Sequence, residues 1–178
     1  MAEEPWQRAE IPGPIKAKVV RKPEVISAMI KRAKRPLIVA GSKIIEEDLG
    51  DGKLIDYVIK LAETAKIPVV ATAHTYKEFL NRGFKPEAIM TVLDIGNRLA
   101  DPNWSGLDGR GQYDLVLILG LPYYMGWVVL SSLKHFAFHL KTISLDRYYQ
   151  PHASWSFPNL PVDEYSKQLK EVISRIGG

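Results

Sequence analysis

The stretch YDLVLILGLPYYMGWVVLSS, Tyr113–Ser132, decides the fold. Its first part, YDLVLILG, is an unbroken apolar run closing on glycine, which is how a strand buried on both faces of a parallel sheet reads. A Gly-Leu-Pro corner follows. The chain then continues through aromatic and apolar residues with no charge, and the spacing predicts a helix from Leu121 to Phe138. In such a strand–corner–helix unit the carboxyl end of the strand delivers ligand-binding or catalytic groups. Here that end offers Gly120, Leu121, Pro122 and two tyrosines, a corner shaped to hold a ligand but without evident chemistry.

Working outward, PLIVAGS (36–42), IPVVATAH (67–74) and KTISLD (141–146) repeat the buried-strand pattern. Between them lie segments of helical period. PEVISAMIKRAKR opens on Pro23 and is ended by Pro36, and KLIDYVIKLAETAK places Leu54, Ile55, Val58, Ile59, Leu61 and Ala62 on one face. Residues 75–101 are helical with a break at Gly83–Pro86, and SGLDGRGQ (105–112) is a glycine-rich loop. QPHASWSFPNLP (150–161) reads as an irregular aromatic loop, and VDEYSKQLKEVISRI as a closing amphipathic helix. Strand alternating with helix predicts a doubly wound, mainly parallel α/β sheet with helices on both faces, Rossmann-like. The expected organisation is one domain over residues 1–178, with residues 1–20 an extended N-terminal arm, because EIPGPIKAKVV has two prolines around a glycine and no helical period. That arm reads as a partner-binding strap.

The composition narrows the function. No cysteine occurs in the 178 residues, which removes disulfides, thiol nucleophiles and thiolate-ligated zinc or iron–sulfur centres. The formal charge is +4, and the basic excess is concentrated between Lys16 and Lys43, where nine Lys or Arg residues meet only Glu24. No nucleic-acid-binding signature accompanies that basic stretch, so it reads as a solvated helix face and no nucleic-acid partner is expected. The start, MAEEPWQRAE, lacks an apolar signal core, and no apolar run reaches the ~20 residues of a membrane span. A cytoplasmic protein with no membrane contact is expected.

Several motifs fail on inspection. GDGK (50–53) lacks the earlier glycine and the following Ser or Thr of a phosphate loop, with Glu47 and Leu54 at those positions, so a helix-entry turn is expected. His135 and His139 are four apart but have no third ligand, so no metal site is assigned. Ser42 has no acid or base nearby in sequence, so no catalytic residue is assigned either.

What remains is a crevice at the strand ends, with Gly41, Ser42, Lys43, Thr72, His74, Gly120, Tyr123 and Asp146 as candidate cofactor-binding residues. In that reading a diphosphate lies over the backbone at Gly41–Lys43 and near Gly120, Lys43 adds a positive charge, Tyr123 lines the mouth, and Asp146 accepts from a ribose hydroxyl. Turn geometry and capping account for the glycines and for Asp146 equally well. Six loop aromatics, Trp6, Trp104, Tyr148, Tyr149, Trp155 and Phe157, stand as partner anchors or as parts of the core.

KRPLIVAGSKI, IPVVAT, YDLVLILG and TISLD, in this order, resemble the central domain of thiamine-diphosphate enzymes, a fold shared with sirtuins and the FAD domain of electron-transfer flavoproteins. Over nearly the whole chain, and most distinctively in VATAHTYKEF, LILGLPYYMGWVVLSSLKHF and LDRYYQPHASWSFPNLP, the sequence resembles the epsilon subunits of the archaeal carbon monoxide dehydrogenase/acetyl-CoA synthase complex, also called acetyl-CoA decarbonylase/synthase. The resemblance implies a small accessory subunit, not catalytic alone, bound to a large alpha subunit that holds the nickel–iron–sulfur chemistry in a two-alpha, two-epsilon assembly with the other subunits of the complex. It implies stabilisation of the alpha subunit or help in passing electrons to FAD, with no cofactor tightly bound to the isolated chain. The alternatives are a free-standing FAD- or NAD-binding enzyme of sirtuin type, for which His74 could serve as the catalytic histidine but the zinc cysteines are missing, and a flavoprotein electron carrier.

Overall fold

A computed structural model describes residue 13 and residues 15–178; the calls on the remaining arm, Trp6 included, lie outside these residues. The elements run β1 (Lys18–Val19), α1 (Pro23–Arg32), β2 (Pro36–Ala40), a 3-10 turn (Ser42–Ile45), α2 (Leu54–Ala65), β3 (Val69–Ala71), α3 (Ala73–Asn81), β4 (Ala88–Ile89) and α4 (Val92–Ala100). They continue with β5 (Leu115–Leu119), α5 (Tyr123–Phe136), β6 (Lys141–Ser144), β7 (Trp155–Ser156) and α6 (Val162–Gly177). Seven strands form one sheet in the order β1-β7-β6-β5-β2-β3-β4, every neighbouring pair parallel. The expected α/β architecture is present.

Why the central strands are apolar at every position follows from where their side chains go. In β2, Ile38 and Ala40 enter a core shared with α1, α2 and α6, while Leu37 and Val39 enter a second core shared with α4 and α5. In β5, Leu115, Leu117 and Leu119 face the first core, and Val116 and Ile118 the second. A strand covered on both faces has no solvent side on which a polar residue would be cheap, so the period of two disappears from the sequence. Helix α6, buried at Tyr165, Leu169 and Val172, lies against α1, and Ser27 of α1 donates to the Val172 carbonyl at 3.1 Å.

Three short strands were not anticipated. β1 emerges from the arm, β4 from residues just past the Gly83–Pro86 break that were expected to be helical, and β7 from the aromatic loop. Each has two residues, too few to carry any periodicity, and each is defined by backbone pairing with a neighbour. The GDGK segment is the expected helix-entry turn. Gly50 adopts φ +91°, and Asp51 accepts from Tyr57 Oη in α2 at 2.5 Å while pairing with Lys170 of α6 at 2.6 Å, which ties two helices of the first core together.

The strand order reverses between β2 and β5: the chain leaves β2 toward β3 and leaves β5 toward β6. At this point the two corners pack directly on each other. Gly41 N–H donates to the Leu119 carbonyl at 2.9 Å, and Lys43 N–H to the Gly120 carbonyl at 2.8 Å. A Cβ on Gly41 would stand 2.4 Å from the Gly120 carbonyl oxygen and from Leu121 Cδ2, and Gly120, at φ +67°, has Ile44 equally close. Gly41→Ala is therefore expected to destabilise the protein by about 1–3 kcal/mol through overpacking against backbone that cannot retreat. Gly83→Ala, at φ +76° with no atom within 4 Å, should cost only the backbone term of ~1 kcal/mol. Urea unfolding of the two variants checks the ranking, and equal losses would contradict it.

Candidate functional site

Beyond the carboxyl ends of β5 and β6 lies a cavity of about 420 Å³, lined in part by Lys43, Glu47, Gly120, Tyr123, Asp146, Arg147, Tyr148 and Gln150. Four of the expected residues thus converge: Lys43 from the 3-10 turn, Gly120 from the corner after β5, Tyr123 from the start of α5 and Asp146 from the end of β6. The others stand apart. Gly41 is buried beneath the corner, and Ser42 is half-buried without lining the cavity. Thr72 precedes α3 and donates its N–H to the Ala40 carbonyl, and His74 is exposed in the first turn of α3.

The inner end is held by the backbone. Asp146 Oδ1 accepts from Gly120 N–H at 2.5 Å, so the residue expected to accept from a ribose is already occupied on one oxygen with closing the corner. Gln150, 2% exposed, donates from Nε2 to the Tyr123 carbonyl at 3.2 Å, and Tyr123 Oη donates to the Tyr149 carbonyl at 3.1 Å. Gly126 lets α5 come this near, because a Cβ there would meet Gln150 Nε2 at 3.0 Å. A glycine in a helix interior costs ~1 kcal/mol against alanine, and here it makes room for that contact.

The charges are largely committed. Lys43 Nζ pairs with Glu46 at 2.6 Å, and Arg147 reaches Glu47 at 3.4 Å while its guanidinium covers the Tyr148 ring at 4.7 Å. Burial raises the Glu47 carboxyl, and Arg147 opposes that rise. The Tyr165 hydroxyl is buried with no hydrogen-bond partner, and burial, followed by the charges of Asp146 and Glu47, holds it well above the ordinary phenol value. Sequence reasoning missed Glu47, Arg147, Gln150 and Tyr165. Glu47 sits in an acidic stretch that looks like surface, and the others lie in loop or helix positions whose approach to the cavity depends on tertiary packing.

The expected diphosphate seat of an adenine nucleotide does not fit. The amides of Gly41 and Lys43 are spent on Leu119 and Gly120, the corners touch without room for a phosphate, and the Lys43 ammonium is held by Glu46. Two carboxylates, Glu47 and Asp146, stand where a phosphate would come nearest to the wall. Nor do the two histidines share a helical turn: α5 ends at Phe136, His135 lies within it, and His139 lies beyond.

Burial raises the Asp146 carboxyl to about 7; the Gly120 N–H lowers it, and the Glu47 charge raises it. Because the folded value lies above the ordinary carboxylate value, the neutral form favours the fold, and that contribution is lost as pH rises from about 4 through about 7. Asp146→Asn keeps an oxygen for Gly120 N–H. It is expected to flatten this part of the stability profile and to be about 1–2 kcal/mol more stable than the unsubstituted chain near pH 8. Urea unfolding at about pH 5 and about pH 8 measures both effects, and an Asn variant less stable at the higher pH would contradict the assignment.

Comparison with known proteins covers nearly the whole chain. Residues 1–173 match the family model described as CO dehydrogenase beta subunit/acetyl-CoA synthase epsilon subunit. The chain is 44% identical to the acetyl-CoA decarbonylase/synthase complex subunit epsilon 1 of Archaeoglobus fulgidus, over 87% of this chain and 83% of that one. It is 40% identical to the subunit epsilon of Methanothrix soehngenii, over 96% and 89%, and 39% identical to that of Methanothermobacter thermautotrophicus, over 94% and 93%. The chain therefore belongs to the family of epsilon subunits of the acetyl-CoA decarbonylase/synthase complex.

Proposed function

We propose that this chain is an accessory, non-catalytic subunit of such a complex, which docks on and stabilises the nickel–iron–sulfur alpha subunit in a two-alpha, two-epsilon assembly. The absence of cysteine supports a role outside the metal chemistry, because a thiolate-ligated cluster cannot be built on this sequence. Any help given to electron transfer toward FAD belongs in this reading to the assembled complex, since the strand corners offer no diphosphate seat.

The observation that carries the docking reading is the outer side of α5. No charged residue occurs from Leu115 to Leu133. The strand part of that run is buried, but in the helix Tyr124 (67% exposed) and Val128 (48%) stand one turn apart in the open. Phe136 and Phe138, 70% and 88% exposed, continue the apolar surface past the end of the helix. Ile15 joins it there, its carbonyl accepting from Lys134 of α5, so the described part of the arm leads onto the same face. Other helices alternate charge on their open sides, as α4 does with Asp94 and Arg98. An uncharged aromatic face on a subunit reads as an interface.

The loop aromatics contribute less than expected. Tyr149 and Phe157 are core residues, and Trp104 and Trp155 are half-buried against the two cores; Tyr148 alone among the described five is exposed. Tyr124→Glu and Val128→Glu should each weaken association with the alpha subunit by tenfold or more without changing the fold, since each would bury a charge. Glu63→Lys, on the exposed side of α2, should leave it unchanged. Pull-down and analytical ultracentrifugation with the purified alpha subunit measure this, and full association by both α5 variants would refute the docking reading.

A further inference from the structure

The lining of the cavity beyond β5 and β6 holds more acidic than basic side chains. Among its lining residues are two cations and three carboxyl groups: Lys43 is matched by Glu46, and Arg147 by Glu47. Among the described residues Asp146 has no ion pair, and it accepts from the neutral Gly120 amide. A further acceptor belongs to the same lining. Gln150 lines the cavity, is 2% exposed, and has its orientation fixed by donation from Nε2 to the Tyr123 carbonyl. Its Oε1 is thereby a buried atom with no hydrogen-bond partner among the described residues. A buried amide oxygen left unpaired is costly, and such costs persist in native proteins where a ligand or water satisfies them. The outer walls are Leu121, Pro122, Tyr123 and Tyr148, a combination of apolar and aromatic surface that suits the stem and flat face of a guanidinium or the methylenes of an amine.

We propose that this cavity binds a cationic hydrogen-bond donor, a guanidinium or primary ammonium group, whose charge is met by Asp146, with Glu47, shared with Arg147, adding to the negative field, and whose N–H is accepted by Gln150 Oε1. The proposal does not rest on the α5 docking face: its charged elements, Glu47 and Asp146, follow the 3-10 turn and β6, and α5 contributes Tyr123 of its first turn. Two sources share this chemistry: a free amine or guanidine, and a lysine or arginine side chain of another subunit.

Charge state supports the geometry. The groups facing the Asp146 carboxyl are Gly120 N–H from the corner, Glu47 after the 3-10 turn and the Tyr165 hydroxyl from α6, while Arg147 pairs with Glu47. With the carboxyl raised to about 7, it gains its negative charge between about pH 6 and about pH 8, and a cation should bind more tightly across that interval while an anion should bind less tightly.

Nuclear magnetic resonance titration of the full chain with argininamide, and separately with inorganic pyrophosphate and ADP, tests the proposal. Argininamide is expected to shift the Gln150 side-chain amide and the Gly120 backbone amide, with an affinity that rises from about pH 6 to about pH 8. Glu47→Gln and Asp146→Asn should each weaken it about tenfold or more, and both keep the size and an oxygen acceptor of the original side chain. Repeating the titration on the chain assembled with its alpha subunit separates the sources: a site closed to argininamide means that a partner's side chain fills it, and a site still open means a free ligand. The proposal is overturned if pyrophosphate or ADP shifts the same amides at lower concentration than argininamide does. It is equally overturned if argininamide causes no shift up to millimolar concentration, or binds both folded variants as tightly as the unsubstituted chain.

Discussion

The structure depends on two glycine corners pressed together at the centre of its sheet. Gly41 and Gly120 end the two middle strands, and the backbone of one corner hydrogen-bonds to the backbone of the other. This contact fixes the 3-10 turn that follows β2, and the turn positions Lys43, Glu46 and Glu47 on one side of the cavity. From the other side, the Gly120 amide captures Asp146, which places the loop running through Arg147, Tyr148 and Gln150. A side chain at either glycine would separate the corners and take both walls of the cavity with it.

The same contact leaves no gap for a phosphate between the two middle corners. In a dinucleotide-binding sheet the strand-end amides are left free for phosphate, and the gap between diverging strands holds the ligand. Here the Gly41, Lys43 and Gly120 amides are satisfied internally, which favours the isolated fold. The opening shifts toward β6 and the loop after it, where the unmet groups are acceptors.

How much of this was legible in the sequence depended on the length of the signal. The long strands β2, β5 and β6 and the helices α1, α2 and α6 were readable because burial on one or two faces leaves a pattern over many residues. The two-residue strands β1, β4 and β7 were not, since they exist by virtue of the neighbours they pair with. For the site, strand-end position alone identified Gly120, Lys43, Tyr123 and Asp146 correctly as neighbours of one cavity. Position could not show that the Asp146 carboxyl turns back to Gly120, or that Lys43 closes on Glu46, because both are local choices among competing partners. Thr72 and His74 were drawn in by the same positional rule, but they follow β3, which lies on the far side of β2 from the cavity.

The placement of β1 has a consequence for the order in which the chain assembles. Lys18 and Val19 pair with Trp155 and Ser156, and Tyr149 Oη donates to the Ala17 carbonyl, so an early segment depends on a late one at both contacts. During synthesis from the ribosome, β2, β3 and β5 can meet while β1 still has no edge to join. β1 is therefore placed only after β7 has emerged. Closure of the far edge of the sheet is the step with the greatest sequence separation, so it registers that nearly the whole domain has already formed.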